Sequence, residues 1–141
     1  MRDQAFAVRT FPRGWIWTIL ACGLLLTPDS AAAQSLVRMT RGVGVIVFPG
    51  DQRLNLGQRS PRQPPRGISI VGNPISRICC SRASRAACVT ERQVALGASR
   101  SNVLRRYGRP ASQSGRELRY SGMTFGLDEA GRVEQICVQR R

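Results

Sequence analysis

The chain contains no histidine and no lysine, so all 22 of its basic residues are arginine. Without an imidazole it cannot use a Ser-His-Asp or Cys-His mechanism or a histidine metal site. Without an amine side chain it cannot form a Schiff base, a Ser-Lys dyad or the lysine contact of a phosphate-binding loop. No pair of carboxylates stands out as the acid and base of a hydrolase. We therefore predict that the protein is not an enzyme, and we expect no cofactor.

Aromatic residues are also scarce, at 6% of the chain, which is too few for a platform on which nucleic-acid bases stack. The formal net charge is +14, and a surface of that sign suits a polyanionic or acidic neighbour. The arginines are spread along the chain without a compact block, so charge alone names no partner. Nucleic acid is disfavoured, whereas an acidic protein surface, anionic lipid and lipopolysaccharide stay open.

The N-terminus has the three parts of an export signal. Arginines within residues 1–13 supply positive charge, and the apolar run Trp15–Leu26 that follows is too short to span a bilayer. Small residues come next, and we predict cleavage between Ala33 and Gln34. Because Cys22 lies in a sequence that loosely matches a lipobox, lipidation at Cys22 is the alternative. The predicted location is periplasmic or secreted.

Four cysteines follow the predicted signal, an even number that favours two disulfides in an exported chain of this size. They are Cys79, Cys80, Cys88 and Cys137. A bond between the two adjacent cysteines would be strained, so we expect one of them to join Cys88 and the other to join Cys137. A redox dithiol or a zinc site is disfavoured because the Cys-x-x-Cys spacing is absent, and we predict no metal site.

Residues 34–93 form the predicted N-terminal segment. Val43–Phe48 is rich in β-branched and aromatic residues and predicts a strand, and Ile68–Val71 predicts a second, shorter one. Between them, residues 52–67 are rich in arginine, glutamine and proline, which favours an extended or disordered linker. The alanine-rich stretch Ser81–Thr90 predicts a short helix with a weak apolar face.

The last third of the chain has clearer periodicity. Ser99 is a favourable N-cap for a helix over residues 100–107, and Gly108 and Pro110 are suited to ending it. Three strands are then predicted: Glu117–Ser121, Met123–Leu127 and Val133–Val138. These elements predict a helix laid over an antiparallel meander, which buries the apolar faces of both.

The predicted fold class is α+β, with one or two short helices packed on a three-stranded antiparallel meander and a β-rich N-terminal half. Val133 and Ile136 reach the same face of the meander only if the last strand contains a bulge. The predicted organisation is a signal peptide over residues 1–33, an N-terminal segment over 34–93, and a helix-plus-meander module over 94–141.

The sequence of this module resembles a recurring module of bacterial envelope proteins. The resemblance rests on Val94–Pro110, a cap and helix that end in Gly-x-Pro. It continues through Leu118–Tyr120, Met123–Asp128 and Gly131–Val133. Over about residues 94–138 the pattern is similar to the BamE (SmpA/OmlA) type of small outer-membrane assembly lipoprotein and to β-lactamase-inhibitor-like modules. The resemblance implies an exported binding or assembly module.

Together these features predict an exported, non-catalytic, disulfide-stabilised protein that binds or helps to assemble another envelope protein. The alternative is a cationic protein that binds an anionic membrane surface or lipopolysaccharide. Candidate anion-binding side chains lie in and after the predicted helix. They are Arg100, Arg105, Arg106 and Arg109. We interpret Tyr107 and Tyr120 as core residues, because a tyrosine ring packs well while its hydroxyl stays wet.

Overall fold

The computed structural model of the protein describes residues 35–84 and 86–141. The predicted signal peptide over residues 1–33, its cleavage site and Cys22 lie outside the described residues. The described chain forms ten strands and one α-helix. They are β1 (Leu36–Thr40), β2 (Gly44–Phe48), β3 (Gln52–Asn55), β4 (Ile68–Val71), β5 (Arg77–Ser81), β6 (Ala87–Thr90), α1 (Arg100–Tyr107), β7 (Ser112–Ser114), β8 (Glu117–Tyr120), β9 (Met123–Leu127) and β10 (Val133–Gln139). None of the helices in these ranges is long and apolar enough to cross a membrane.

The strands form two sheets. The four-stranded sheet has the order β3-β2-β1-β6, in which β6 runs parallel to β1 and the other pairs are antiparallel. The six-stranded sheet has the order β4-β5-β10-β9-β8-β7 and is antiparallel throughout. Side chains of both sheets and of α1 contribute to one buried core.

The predicted α+β fold class is wrong, because the described chain is mostly β. The expected meander is present as β8, β9 and β10, but β5 pairs with β10 and β7 pairs with β8, which extends it to six strands. The second helix expected over Ser81–Thr90 is replaced by one 3-10 turn, Arg82–Ser84, and by β6. Pairing of β6 with β1 overrides the helix propensity of the local alanines.

The four-stranded sheet buries alternate side chains along each strand. They are Val37, Met39, Val45, Val47 and Leu54. The strand predicted over Val43–Phe48 is confirmed as β2. The predicted linker, residues 52–67, begins with β3 instead of irregular chain. The loop that follows β3 is held by backbone hydrogen bonds from Gly57 to Ile75 (2.7 Å) and from Ile75 to Gln58 (2.8 Å).

The six-stranded sheet takes β4 and β5 from the predicted N-terminal segment and β7 to β10 from the predicted module. The division between residues 93 and 94 stays a prediction. β10 contains the bulge that its sequence requires, since its pairing with β9 shifts between Val133 and Gln135. Because of this shift Val133 and Ile136 both face the core, and each is 0% exposed.

Disulfide bonding is confirmed, with Cys79 joined to Cys137 and Cys80 joined to Cys88. Cys79 and Cys80 are neighbours on β5, so their side chains point to opposite faces of the sheet. Cys80 points into the core and reaches Cys88 of β6, which links the two sheets. Cys79 points away from the core and lies directly opposite Cys137 of β10, so this bond links two neighbouring strands.

Candidate functional site on the outer face of the six-stranded sheet

The six-stranded sheet has a buried face and an exposed face. On the buried face Ile78, Phe125 and Ile136 are each 0% exposed. Alternate residues of the same strands point the other way, to a surface that we call the outer face. One row across the outer face runs Ser69, Cys79, Cys137, Thr124 and Arg119, and the next runs Ser81, Gln135, Gly126 and Glu117. This face is therefore assembled from distant parts of the chain.

A shallow depression of about 260 Å³ lies on the outer face. Its lining includes Arg77, Arg116, Glu117, Thr124, Gly126, Gln135 and Cys137. Thr124 and Cys137 are only 7% exposed and contribute to its floor. A Cβ at Gly126 would lie 3.4 Å from the Cβ of Gln135, so the absence of a side chain there helps to keep the depression open.

The borders of the depression carry more positive than negative charge. Arg119 donates to Glu117 at 2.7 Å, and this hydrogen bond is the main reason that the pKa of Arg119 is raised. Arg116 donates to Glu129 at 3.1 Å, and because both partners are largely exposed the pair contributes little to stability. Arg77 is exposed and makes no salt bridge within the described residues. Its guanidinium is therefore available to a ligand.

The groups around the depression are suited to binding. The guanidinium groups of Arg77 and Arg116 can each donate two parallel hydrogen bonds to a carboxylate. Gln135 and Thr124 add neutral donors and acceptors, and the sulfur of Cys137 is held in a disulfide. The arrangement fits a surface that presents carboxylates.

The predicted anion-binding arginines lie on α1 and just after it, not on the outer face. Arg100 is in the first turn, whereas Arg105 and Arg106 share the last turn. At about 100° per residue, Arg100 and Arg105 are about 140° apart around the helix axis. Arg109 follows the residue that ends the helix. Arg105 and Arg106 are about 100° apart around the axis, so the structure does not gather the four arginines on one face.

Sequence reasoning missed Arg92, which joins the C-terminal end of α1. Its Nη1 donates to the backbone oxygen of Arg106 at 2.9 Å, which satisfies a carbonyl that the helix leaves free. Its guanidinium also lies 5.0 Å from the centroid of the Tyr107 ring. Arg92 lies in the loop after β6, so no local signal in the sequence could have indicated this contact.

Tyr107 and Tyr120 are confirmed as core residues, at 8% and 6% exposed, but the prediction of a hydroxyl in contact with water is wrong for Tyr107, whose hydroxyl is buried. Their ring centroids lie 5.2 Å and 5.8 Å from that of Phe125. The Tyr120 hydroxyl donates to the backbone oxygen of Gly108 at 2.9 Å, which ties the end of α1 to β8. Burial is the main cause that raises the pKa of both tyrosines, because it disfavours the phenolate.

Among the described residues, the outer face and the C-terminal end of α1 both bring side chains from separate elements together at the surface. The resemblance of residues 94–138 to BamE-type modules stays a prediction. Comparison of the chain with protein-family models, with curated proteins and with solved structures finds no match.

Proposed function

We propose that the protein is an exported, non-catalytic, disulfide-stabilised module that binds an acidic protein of the cell envelope through its outer face. The observation that carries the proposal is the open depression on that face, where Arg77 and Arg116 stand at the border of a small floor. Both side chains are exposed, and Arg77 has no salt bridge within residues 35–84 and 86–141.

The charge balance supports an acidic partner. The net charge of +14 raises the rate at which an acidic protein meets this surface and opposes association with a second copy of the chain. The missing histidine and lysine side chains favour a role in binding over a role in catalysis. The predicted export signal supports a partner in the envelope, where disulfides persist.

Charge reversal on the outer face tests the proposal. The variant Arg77→Glu/Arg116→Glu should lose capture of a stoichiometric partner from an envelope fraction by at least about tenfold, because two like-charge contacts replace two attractive ones. The same number of reversals on α1, Arg100→Glu/Arg105→Glu, is the matched control and should retain capture. Equal loss in both variants, or no stoichiometric partner with the unmodified protein, would contradict the proposal.

A second candidate function is binding to an anionic membrane surface or lipopolysaccharide, and one observation favours it. On the exposed side of the four-stranded sheet, Arg38, Ile46 and Arg53 are paired across three strands, beside the pair Leu36 and Phe48. Ile46 lies between the two arginines, and Leu36, which is 44% exposed, lies in the neighbouring row. Exposed arginines attract anionic headgroups, and apolar side chains can enter the interface.

Vesicle binding separates this candidate from the first. The variant Arg38→Glu/Arg53→Glu should weaken sedimentation with vesicles that contain an anionic lipid and should leave protein capture unchanged. Binding should also weaken as salt is raised, because exposed charges are screened within about 8 Å at physiological ionic strength. Binding that is absent, or that does not respond to salt, would remove this candidate.

A further inference from the structure

The six-stranded sheet ends in two edge strands, β4 and β7, and β4 lacks the charge, proline and bulge that protect many natural edges. β7 is Ser-Gln-Ser, short and polar, and so discourages pairing with another chain. β4 reads Ile-Ser-Ile-Val, without proline or charge, and its Val71 is 52% exposed. Its pairing with β5 runs from Ile68 to Val71 without a bulge.

The edges of the other sheet are better protected. Along β6, the chain from Val94 to Leu96 is already attached, with backbone hydrogen bonds from Thr90 to Val94 (2.9 Å) and from Leu96 to Cys88 (3.3 Å). β3 is polar and carries Arg53. Among the strand edges that the structure describes, β4 is therefore the apolar and uncharged one.

The register shows which backbone groups β4 directs outward. Residues opposed in an antiparallel ladder alternate between hydrogen-bonded and non-hydrogen-bonded pairs, and the second kind has the shorter Cα spacing. Cys79 and Cys137 have a Cα spacing of 4.1 Å, so they form a non-hydrogen-bonded pair. Gln139, two residues along β10 from Cys137, shows the same orientation, because its N–H donates to Gly122 and so points away from β5. Cys79 therefore directs its N–H and C=O to Ser69 of β4.

It follows that Ile68 and Ile70 direct their N–H and C=O groups away from β5. No backbone or side-chain hydrogen bond within the described residues occupies these groups. An added strand would meet two donors and two acceptors with the spacing of a sheet ladder. The edge is thus prepared for main-chain hydrogen bonding to an extended segment.

The side chains around β4 specify the chemistry of that segment. Ile70 is half-buried on the core side, where an apolar side chain of the added strand would cover it. On the outer side, Ser69 and Val71 are exposed, and Arg77 lies directly opposite Val71. Arg66 is exposed just before β4. A strand that alternates apolar residues with acidic ones would match both faces.

We infer that the acidic partner adds an extended strand to the edge of β4, with apolar and acidic side chains in alternation. This inference rests on the proposed function and names the way in which the partner binds. A second copy of the chain is a poorer occupant, because two molecules of net charge +14 repel each other and each would bring Arg66 and Arg77 to the contact.

Amide exchange of the full chain with a synthetic peptide tests the inference. The probe is a short peptide that alternates valine with glutamate, and the control peptide has the same composition without the alternation. The alternating peptide should slow exchange of the Ile68 and Ile70 amides by at least about tenfold, because they become hydrogen-bonded donors. Binding without protection of β4, or equal protection by both peptides, would overturn the inference.

Two proline variants give a matched comparison. Ile70→Pro removes an outward N–H and leaves the β4–β5 bonds intact. The Arg119 carbonyl accepts a hydrogen bond from the Ala111 N–H at 2.8 Å, so Arg119 directs its backbone groups toward β7. Because successive residues of a strand direct these groups to opposite sides, Leu118 directs its own toward β9. Its partner Gln113 therefore directs its N–H away from β8. Gln113→Pro therefore removes the equivalent backbone N–H at the opposite edge. Only Ile70→Pro should lose peptide binding.

If Ile70→Pro does not fold, a charge variant tests the inference in its place. Arg77→Glu changes an exposed side chain and should weaken binding of the alternating peptide by at least about threefold. Unchanged affinity in this variant would count against the inference, as would a dimer in light scattering that protects β4 without peptide. If an envelope partner is captured while the β4 amides stay unprotected, the inference of strand addition is rejected but the proposed function is not. If no partner is captured, the proposed function fails whatever β4 does.

Discussion

At the scale of single residues, α1 shows how local chemistry sets the ends of an element. The Ser99 hydroxyl accepts a hydrogen bond from the Asn102 amide at 3.3 Å, and Gly108 donates to Leu104 at 2.8 Å with a φ of 77° that favours glycine. Both signals act within one turn of the chain. The sequence therefore predicted this helix with its correct bounds, residues 100–107.

Removal of the N-cap gives a direct test at this scale. Ser99→Ala should lower the free energy of unfolding by about 1 kcal/mol, because an amide at the start of α1 loses its acceptor. Urea denaturation measures the change. Ser114→Ala is the control, since Ser114 lies exposed on β7 outside any cap. A loss no larger than that of the control would show that the cap contributes nothing.

The two core tyrosines should respond differently to loss of their hydroxyls. Tyr120→Phe should lower the free energy of unfolding by about 1 kcal/mol, because the Gly108 carbonyl loses its hydrogen-bond donor. The Tyr107 hydroxyl is buried and makes no hydrogen bond within the described residues. Burial raises its pKa, and the lowering effects of nearby Thr90 and Arg92 do not offset that increase. Tyr107→Phe should therefore be neutral or stabilising in urea denaturation at neutral pH.

The raised tyrosine pKa values predict a loss of stability in alkali. Above the ordinary pKa of about 10, the unfolded chain releases phenol protons that the folded chain retains, so stability falls as pH rises through the folded values. Below pH 10 the contribution is fully present. In Tyr107→Phe the free energy of unfolding should fall less steeply with pH above pH 10. An equally steep decline in this variant would contradict burial as the cause.

At the scale of elements, sheet pairing joins segments that lie far apart in the sequence. β5 pairs with β10 across 58 residues, and β6 pairs in parallel with β1. Such pairings depend on the whole fold, which explains why alanine content around Ser81–Thr90 indicated a helix that does not form. The sequence indicated that a bulge in β10 would place Val133 and Ile136 on one face, and the structure contains that bulge.

Deletion of Glu134 tests the bulge. With one residue fewer, Val133, Gln135 and Ile136 become a regular alternation, so both apolar side chains still face the core. We expect a folded protein with a similar far-ultraviolet circular dichroism spectrum. Deletion of Gln139, at the end of β10, is the matched control for shortening the strand. A deletion of Glu134 that unfolds the protein while the control folds would contradict this account of the register.

The Cys79–Cys137 disulfide should stabilise the fold mainly through the unfolded chain. It closes a loop with a sequence separation of 58, which corresponds to about 4 kcal/mol by the chain-entropy model. In Cys79→Ala/Cys137→Ala the free energy of unfolding, measured by urea denaturation, should fall by about that amount. The variant should still fold, because the β5–β10 ladder does not depend on the bond. A loss below about 1 kcal/mol would contradict the chain-entropy account.

At the scale of the whole molecule, the described chain is a pair of sheets joined by a buried disulfide, with the depression and the open edge on the six-stranded sheet. The outer face combines β4, β5, β8, β9 and β10, and the open edge is the unpaired side of β4. Arg77 belongs to both, since it lines the depression and lies opposite Val71. The sequence showed the excess of arginine and singled out those on and after α1, which stay a prediction. It could not show the outer face, because that face depends on which strands become neighbours.

Hydrogen–deuterium exchange of the full chain, with and without its captured envelope partner, tests the central claim most directly. The claim is that recognition occurs on the six-stranded sheet. We expect slower exchange in β4 and β5 when the partner is bound, with α1 and β2 unchanged. Protection confined to α1 or to the four-stranded sheet would contradict the account.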